Sequence, residues 1–381
     1  MTYLDHAATT QMTESAKAAA IQSWGSFGNP SSPHDFGLVA ERIVKQARQT
    51  IADALGARPA EIFFTSGGTE SNNWAIFGGF AARRRIGAQI ITTPAEHPSV
   101  TAPIEILEGQ NGAAIRYVRM VGGQLDMDGL ADALKMPTAL VSVHHVNSET
   151  GDMQDIFAIG RMIKQTSPQT LFHVDACQSF CKLPIDIADV DMLSISGHKV
   201  GGGKGVGGLF IKSGVFINPL IHGGGQEAGL RSGTENVPQI AAFAAAALEI
   251  NGNKSANLEH VVCLEAEFLE EINGLSGFET NKGRNASPYI VNISLEGLRP
   301  EVAVNSLSAR GIYISTGAAC SARKADASSK TLQGLGYSES GAKSALRISF
   351  SASNTIEEAR ICAKAICETV TLLKNTKGVR R

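Results

Sequence analysis

The sequence predicts an α/β fold: a large, mainly parallel sheet flanked by helices, followed by a smaller α+β unit. Three observations carry this expectation. Between about residues 60 and 215, short β-rich apolar runs alternate with amphipathic stretches, the pattern of strands joined by crossover helices. A helical region from about residue 238 to 269 separates these from a second set of strands and helices. With 381 residues, the chain exceeds what one hydrophobic core usually organises.

Seven strands are expected first: Glu61–Thr65, Gln89–Thr93, Ala114–Arg119, Thr138–Val146, Thr170–Asp175, Met192–Ser196 and Gly208–Ile211. Helical patterns separate most of them, as in Asn72–Arg84 and Asp155–Gln165. The last runs follow one another with too little chain for a crossover, so at least one strand there should run antiparallel. Beyond the helical stretch Pro238–Leu269, strands are expected at Tyr289–Leu295, Ile312–Ser315 and Leu346–Phe350, with helices at Pro300–Arg310 and Thr355–Leu373. The last helix lines up Ile356, Ala359, Ala363, Ile366, Val370 and Leu373 on one apolar face. The expected division is a large domain over residues 12–250 and a small domain formed by 1–11 with 251–381.

Composition narrows the function classes. An apolar fraction of 43% and a charged fraction of 18% belong to a globular chain. A net charge of −2 offers no electrostatic footprint for nucleic acid or an anionic membrane. Asp5 falls where a signal peptide needs uninterrupted apolar residues, and the longest aliphatic piece, Ile240–Leu248, reads as a buried helix. Six cysteines are too sparse for a disulfide scaffold. The expectation is a reduced, cytoplasmic enzyme.

The segment Ser194-Ile-Ser196-Gly-His198-Lys199-Val-Gly201 places a lysine after an apolar run and before a glycine-rich turn. A partly desolvated lysine amine is a nucleophile toward carbonyls. Upstream, Leu171-Phe-His-Val-Asp175-Ala-Cys-Gln178 ends another apolar run on a carboxylate. A lysine for a Schiff base and an aspartate for a pyridinium nitrogen are what pyridoxal phosphate asks of a protein. Phe63-Phe-Thr65-Ser66-Gly67-Gly68-Thr69-Glu70-Ser71-Asn72 reads as strand, glycine turn and helix start, where a phosphate can sit, or where Ser66 or Thr69 simply caps the helix. In Gly201–Gly208, Gly205 follows Lys204 where a Walker loop needs a hydroxyl.

Other candidates keep two readings. His97 either stacks on an aromatic ring or caps the helix it precedes. Arg347, on an apolar strand, either makes a structural ion pair or binds a carboxylate bidentately. Cys320 lies among small residues, where a nucleophile could travel, whereas Cys263, Cys362 and Cys367 fit structural helix positions. Cys177 and Cys181 have no second pair to complete a zinc site, and no metal centre is expected.

Tyr3-Leu-Asp-His-Ala-Ala-Thr-Thr10, Phe27-Gly-Asn-Pro-Ser-Ser32, Thr65–Ser71, Glu96-His97, His145-Val-Asn147, His173–Gln178, Ser196–Lys199, His222-Gly-Gly-Gly-Gln and Arg231-Ser-Gly-Thr234 occur in the order seen in cysteine desulfurases. The chain resembles these enzymes, pyridoxal-phosphate-dependent members of aminotransferase class V with the fold-type I architecture. The resemblance implies that Lys199 anchors the cofactor and moves the Cα proton, that Asp175 pairs with the pyridine nitrogen, and that Gln178 meets the phenolic oxygen. It implies His97 over the ring, acting also in proton transfer. Gly68, Thr69, Ser196 and His198 would hold the phosphate, with Thr234 from the second subunit of a homodimer. Asn147 would lie near ring and substrate, and Arg347, supported by Asn29, would bind the carboxylate of L-cysteine. Cys320 would take the sulfur as a persulfide and pass it to an acceptor protein such as an iron–sulfur scaffold. The Cys320 segment departs from the long-loop pattern: it reads Ser-Thr-Gly-Ala-Ala-Cys320 and lacks a following Leu-Glu-Pro. Selenocysteine lyase, a class V aminotransferase without need of Cys320, and an inactive interaction scaffold are the rival readings.

Overall fold

The computed structural model describes residues 1–275, 277–295, 297–317 and 329–378, with side chains through 373. Among them, seven strands form one sheet in the order Ile62–Thr65, Gly207–Ile211, Met192–Ser196, Leu171–Asp175, Thr138–His144, Gln89–Thr92, Ala114–Tyr117. All seven expected strands are present, within three residues at each end. The antiparallel strand is Gly207–Ile211, which pairs antiparallel with both neighbours, while the other pairings are parallel. Only ten residues separate it from Met192–Ser196, too few for a crossover.

Strand residues alternate between two apolar layers, as a period of two dictates. Phe64, Val141, Val143, Phe172, Val174 and Leu193 pack on one face with the Asp35–Leu55 helix. Phe63, Leu140, Leu171 and Met192 pack on the other with Trp74, Ile76 and Phe80 of the Gly68–Arg83 helix. The expected start of that helix at Asn72 is one turn late, because its opening residues, Gly68 to Ser71, carry no apolar period.

The helical stretch expected as one piece is two helices, Val237–Gly252 and Lys254–Ile272, broken at Asn253. A second core follows, around the strands Ile290–Leu295 and Ala345–Ser349 and the helix Ile356–Gly378. On that helix Ala359, Ala363, Ile366 and Val370 are buried, with Ile356 and Leu373 packed beside them, the face the periodicity predicts. The expected strand Ile312–Ser315 is two short pieces: Ile312–Tyr313 pairs with Thr2–Tyr3, and Ser315–Thr316 joins the Ala345–Ser349 strand. Cys263 differs from its expected buried place and is exposed, while Cys362 is buried.

No helix is long and apolar enough to cross a membrane, and no cluster of metal-ligating side chains occurs, among the described residues.

Candidate active site

Parallel strands deliver their carboxyl ends to one edge, where ligand clefts form in α/β sheets. Here the residues just beyond Thr65, Thr92, His144, Asp175 and Ser196 converge on a cleft of about 400 Å³. Gly68, Thr69, His97, Asn147, Asp175, Gln178, Ser196, His198, Lys199 and Arg347 all line it.

Lys199 ends a short 3₁₀ turn, Gly197–Lys199, directly after the Met192–Ser196 strand. Gly197 is required there: a Cβ would stand 2.8 Å from Val206 Cγ1. Burial, and next the charge of Arg347, lower the Lys199 ammonium to about 8. Its Nζ donates to the Ala7 carbonyl, which also accepts from Gln178 Nε2 at 2.9 Å.

Asp175 is buried at the end of its strand. Burial alone would raise its carboxyl; the Cys177 N–H at 3.0 Å, the proximity of His97 and the Asn72 amide at 2.8 Å outweigh it and hold the group below the usual range. Asp175 therefore stays ionised at neutral pH. Asn72 Nδ2 also donates to Ser99 Oγ at 2.8 Å, and Ser99 Oγ in turn meets His97 Nδ1 at 2.8 Å. His97 Nδ1 accepts from Ser99 N at 3.1 Å as well, so it caps the Pro98–Asn111 helix. Nδ1 is thus the acceptor, and the proton is assigned to Nε2. Burial keeps this imidazole neutral by lowering its pKa. Capping and cleft-lining, alternatives in the sequence, hold together.

The phosphate-sized corner is the start of the Gly68–Arg83 helix. Its N-cap is Gly67, with no side-chain cap, so neither Ser66 nor Thr69 plays that role. A Cβ on Gly68 would lie 2.5 Å from Cys177 Sγ, so glycine brings the helix end against this wall. Glu70 borders the same corner, where it accepts from Ser66 N at 2.9 Å and pairs with Arg231 at 2.7 Å. Ser196 is buried. His198 Nδ1 meets Thr9 Oγ1 at 3.2 Å, and burial with the charge of Lys199 lowers the imidazole to about 4.

Asn147 lines the cleft but spends its amide on backbone: Nδ2 donates to the Ala95 carbonyl at 3.1 Å, and Oδ1 accepts from Glu149 N and Thr150 N. For Arg347 the structure has the ion pair: it bonds Asp5 at 2.8 Å, lines the cleft, and its buried Nε has no partner among the described residues. Asn29 and Thr234 do not reach the cleft of their own chain; both are exposed, and Asn29 Oδ1 accepts from Ser31 N at 2.9 Å. Cys320 lies outside the described residues. Downstream of it, Ser329 Oγ bonds to Glu149, two positions from Asn147. Asn72, Ser99 and the Ala7 carbonyl are structural partners that no local sequence signal marks.

An ionised buried carboxylate, a depressed lysine amine and a free helix N-terminus in one cleft fit the nitrogen, aldehyde and phosphate of pyridoxal phosphate. Their positions at the carboxyl edge of this sheet define a fold-type I enzyme of the kind that uses that cofactor. A family profile described as Aminotransferase class-V matches residues 2–361, and the chain belongs to that family. It is 38% identical over 374 residues to "Putative cysteine desulfurase IscS 1" of Bacillus subtilis, covering 97% of this chain and 98% of the relative. A solved "NIFS-LIKE PROTEIN" superposes with a TM-score of 0.91 at 34% identity, covering 98% of this chain and all of that one (100%). A structure titled "SspA in complex with cysteine" superposes at 0.79 with 37% identity, over 93% of this chain and 100% of that one. Cysteine desulfurases in this family depend on pyridoxal phosphate, use cysteine and typically form dimers.

Proposed function

We infer that the chain is a cysteine desulfurase: it removes sulfur from L-cysteine, releases L-alanine and holds the sulfur as a persulfide on Cys320. The observation that carries this is the meeting of Lys199, Asp175 and Arg347 in one cleft, within a chain similar over its length to desulfurases. Asp175 would hold the pyridine nitrogen, and Lys199 would anchor the aldehyde. Gly68, Thr69, Ser196 and His198 would hold the phosphate. When bound, pyridoxal phosphate supplies an electron sink for the charge left at the substrate Cα.

The residues of the chain do the rest. Arg347, whose Nε has no partner among the described residues, would offer it to the substrate carboxylate and so fix the Cα in the cleft. Lys199, with its lowered pKa, takes the Cα proton as a base active near neutrality. His97 lines the cleft and, with Nδ1 committed to Ser99, would have Nε2–H left for proton transfer. The Cys320 thiolate attacks the substrate sulfur: an S–S bond forms, the C–S bond breaks, and its electron pair returns to carbon, which is protonated to give alanine. Glu149 ties Ser329, downstream of Cys320, beside the cleft wall. Sulfur then passes to a protein acceptor such as an iron–sulfur scaffold.

A homodimer completes the site in this reading. Thr234 is exposed on its own chain and would reach the partner's phosphate corner. Ile21, Trp24, Phe27, Phe36 and Leu38 are exposed, apolar side chains of the kind a partner subunit would cover. Residues 12–250 would form the cofactor domain, with 1–11 and 251–381 forming the smaller one, and the protein would act in the cytoplasm. Incubating the cofactor-loaded protein with L-cysteine tests the activity: alanine and transferred sulfur in equal amounts support it. A keto acid product would instead mark an aminotransferase, and turnover confined to selenocysteine a lyase for that substrate.

A further inference from the structure

A second cavity, of about 430 Å³, borders Lys199 from among different neighbours: Lys182, Tyr289, Asn253, Asn257 and Ser351. Lys182 is 8% exposed, in the turn that follows the Asp175 strand. Its ammonium lies 5.7 Å from the centroid of the Tyr289 ring, and no hydrogen bond or ion pair engages it among the described residues. A ring face compensates a desolvated ammonium only in part. Three other charged groups line the cavity, Glu14, Glu249 and Lys199, and both glutamates are exposed. Glu14 pairs with Lys17 at 2.6 Å, Glu249 accepts from Ser15 Oγ at 2.5 Å, and Lys199 donates to the Ala7 carbonyl.

We propose that this cavity is a second ligand site, taking a small oxyanion, carboxylate or inorganic, whose oxygens meet the Lys182 ammonium. The hydroxyls of Thr10, Thr13, Ser351 and Ser353 add hydrogen-bonding capacity around it. Burial, and next the charge of Lys199, hold the Lys182 ammonium down at about 7, a level that an unpaired cation in this setting should show and that a bound anion should raise. Because Lys199 borders both cavities, an anion here also adds negative charge beside the reactive amine. The site is separate from the cleft centred on Asp175 and does not depend on the desulfurase reading.

The test uses the cofactor-loaded protein with inorganic phosphate and, separately, acetate, at constant ionic strength set with sodium chloride. Labelling of Lys182 by an amine-reactive ester is read by peptide mass mapping. At ten times the dissociation constant, either anion should slow Lys182 labelling roughly tenfold while exposed lysines react as before. Protection by acetate alone assigns a carboxylate ligand, and protection by phosphate alone an inorganic one. Lys182→Met, which keeps the apolar stem, should lose the rise in Tm that the protecting anion gives, whereas Arg347→Lys should keep it. No protection by either anion overturns the proposal. So does a Tm rise that survives in Lys182→Met and vanishes in Arg347→Lys. If Lys182→Met fails to fold, the labelling of the unsubstituted protein decides alone.

Discussion

Arg347 Nη2 donates to Asp5 Oδ1 at 2.8 Å, which ties the final strand of the second sheet to the first residues of the chain. The Arg347 side chain is 4% exposed and its Nη1 donates to the Ser148 carbonyl at 2.9 Å. The two bonds hold the arginine plane still, while Nε has no partner among the described residues. Arg347→Lys keeps the charge but loses the planar fork, so kcat/KM for L-cysteine should fall about 100-fold, roughly 3 kcal/mol, mostly through KM. Steady-state kinetics check this, with cofactor content unchanged. Asp5→Asn should raise KM by a smaller factor.

The charge of Asp175 survives burial, which suits it to the place proposed for it beside the pyridine nitrogen. Asp175→Asn keeps the shape and removes the charge, so retention of pyridoxal phosphate should weaken by about 10- to 100-fold, the scale of one charge-assisted hydrogen bond. Equilibrium dialysis measures it. Unaltered retention would remove Asp175 from its assigned place.

Lys199 gives a pH prediction whose sign is fixed by its neutral form being the nucleophile. A lysine lowered from 10.5 to about 8 is mostly neutral above pH 8. Loading of cofactor into apo-protein should therefore quicken as pH rises through about 8 and level off above it, followed by cofactor absorbance. A rate still climbing beyond pH 10 would mean an ordinary lysine. By linkage, between about 8 and 10.5 the unfolded chain holds a proton that folded Lys199 has lost. This lysine therefore contributes stability to the apo-protein that rises with pH in that window.

The sheet was legible because each strand is a compact apolar run bounded by turns, and Met192–Ser196 matches to the residue. The Glu14–Trp24 helix was not, since it is alanine-rich and lacks an apolar stripe. The Met120–Val121 and Gln124–Leu125 hairpin is too short for periodicity to register. At the site, Asp175 stands out because it ends a strand, and Lys199 and His97 because each follows one. The His97–Ser99–Asn72–Asp175 chain did not, because it joins residues up to 103 positions apart. Asn29 was expected at the cleft from its motif and is instead turned into a local bond with Ser31.

Ser329 both accepts from Leu332 N at 3.0 Å, capping the Lys330–Gly334 helix, and bonds to Glu149. Ser329→Ala should cost about 1 kcal/mol from the lost cap and leave the half-buried Glu149 without this partner. Urea unfolding gives the first effect. Transfer of sulfur to an acceptor, slowed more than cofactor binding, gives the second.

The central claim, that Lys199 opens the substrate and Cys320 takes its sulfur, is tested most directly by mass mapping after L-cysteine is added to cofactor-loaded protein under non-reducing conditions. The account predicts one added sulfur atom on the Cys320 peptide, absent from Cys320→Ala although that variant still binds cofactor through Lys199. An added sulfur on Cys177 or another cysteine, or alanine release undiminished in Cys320→Ala, would contradict it.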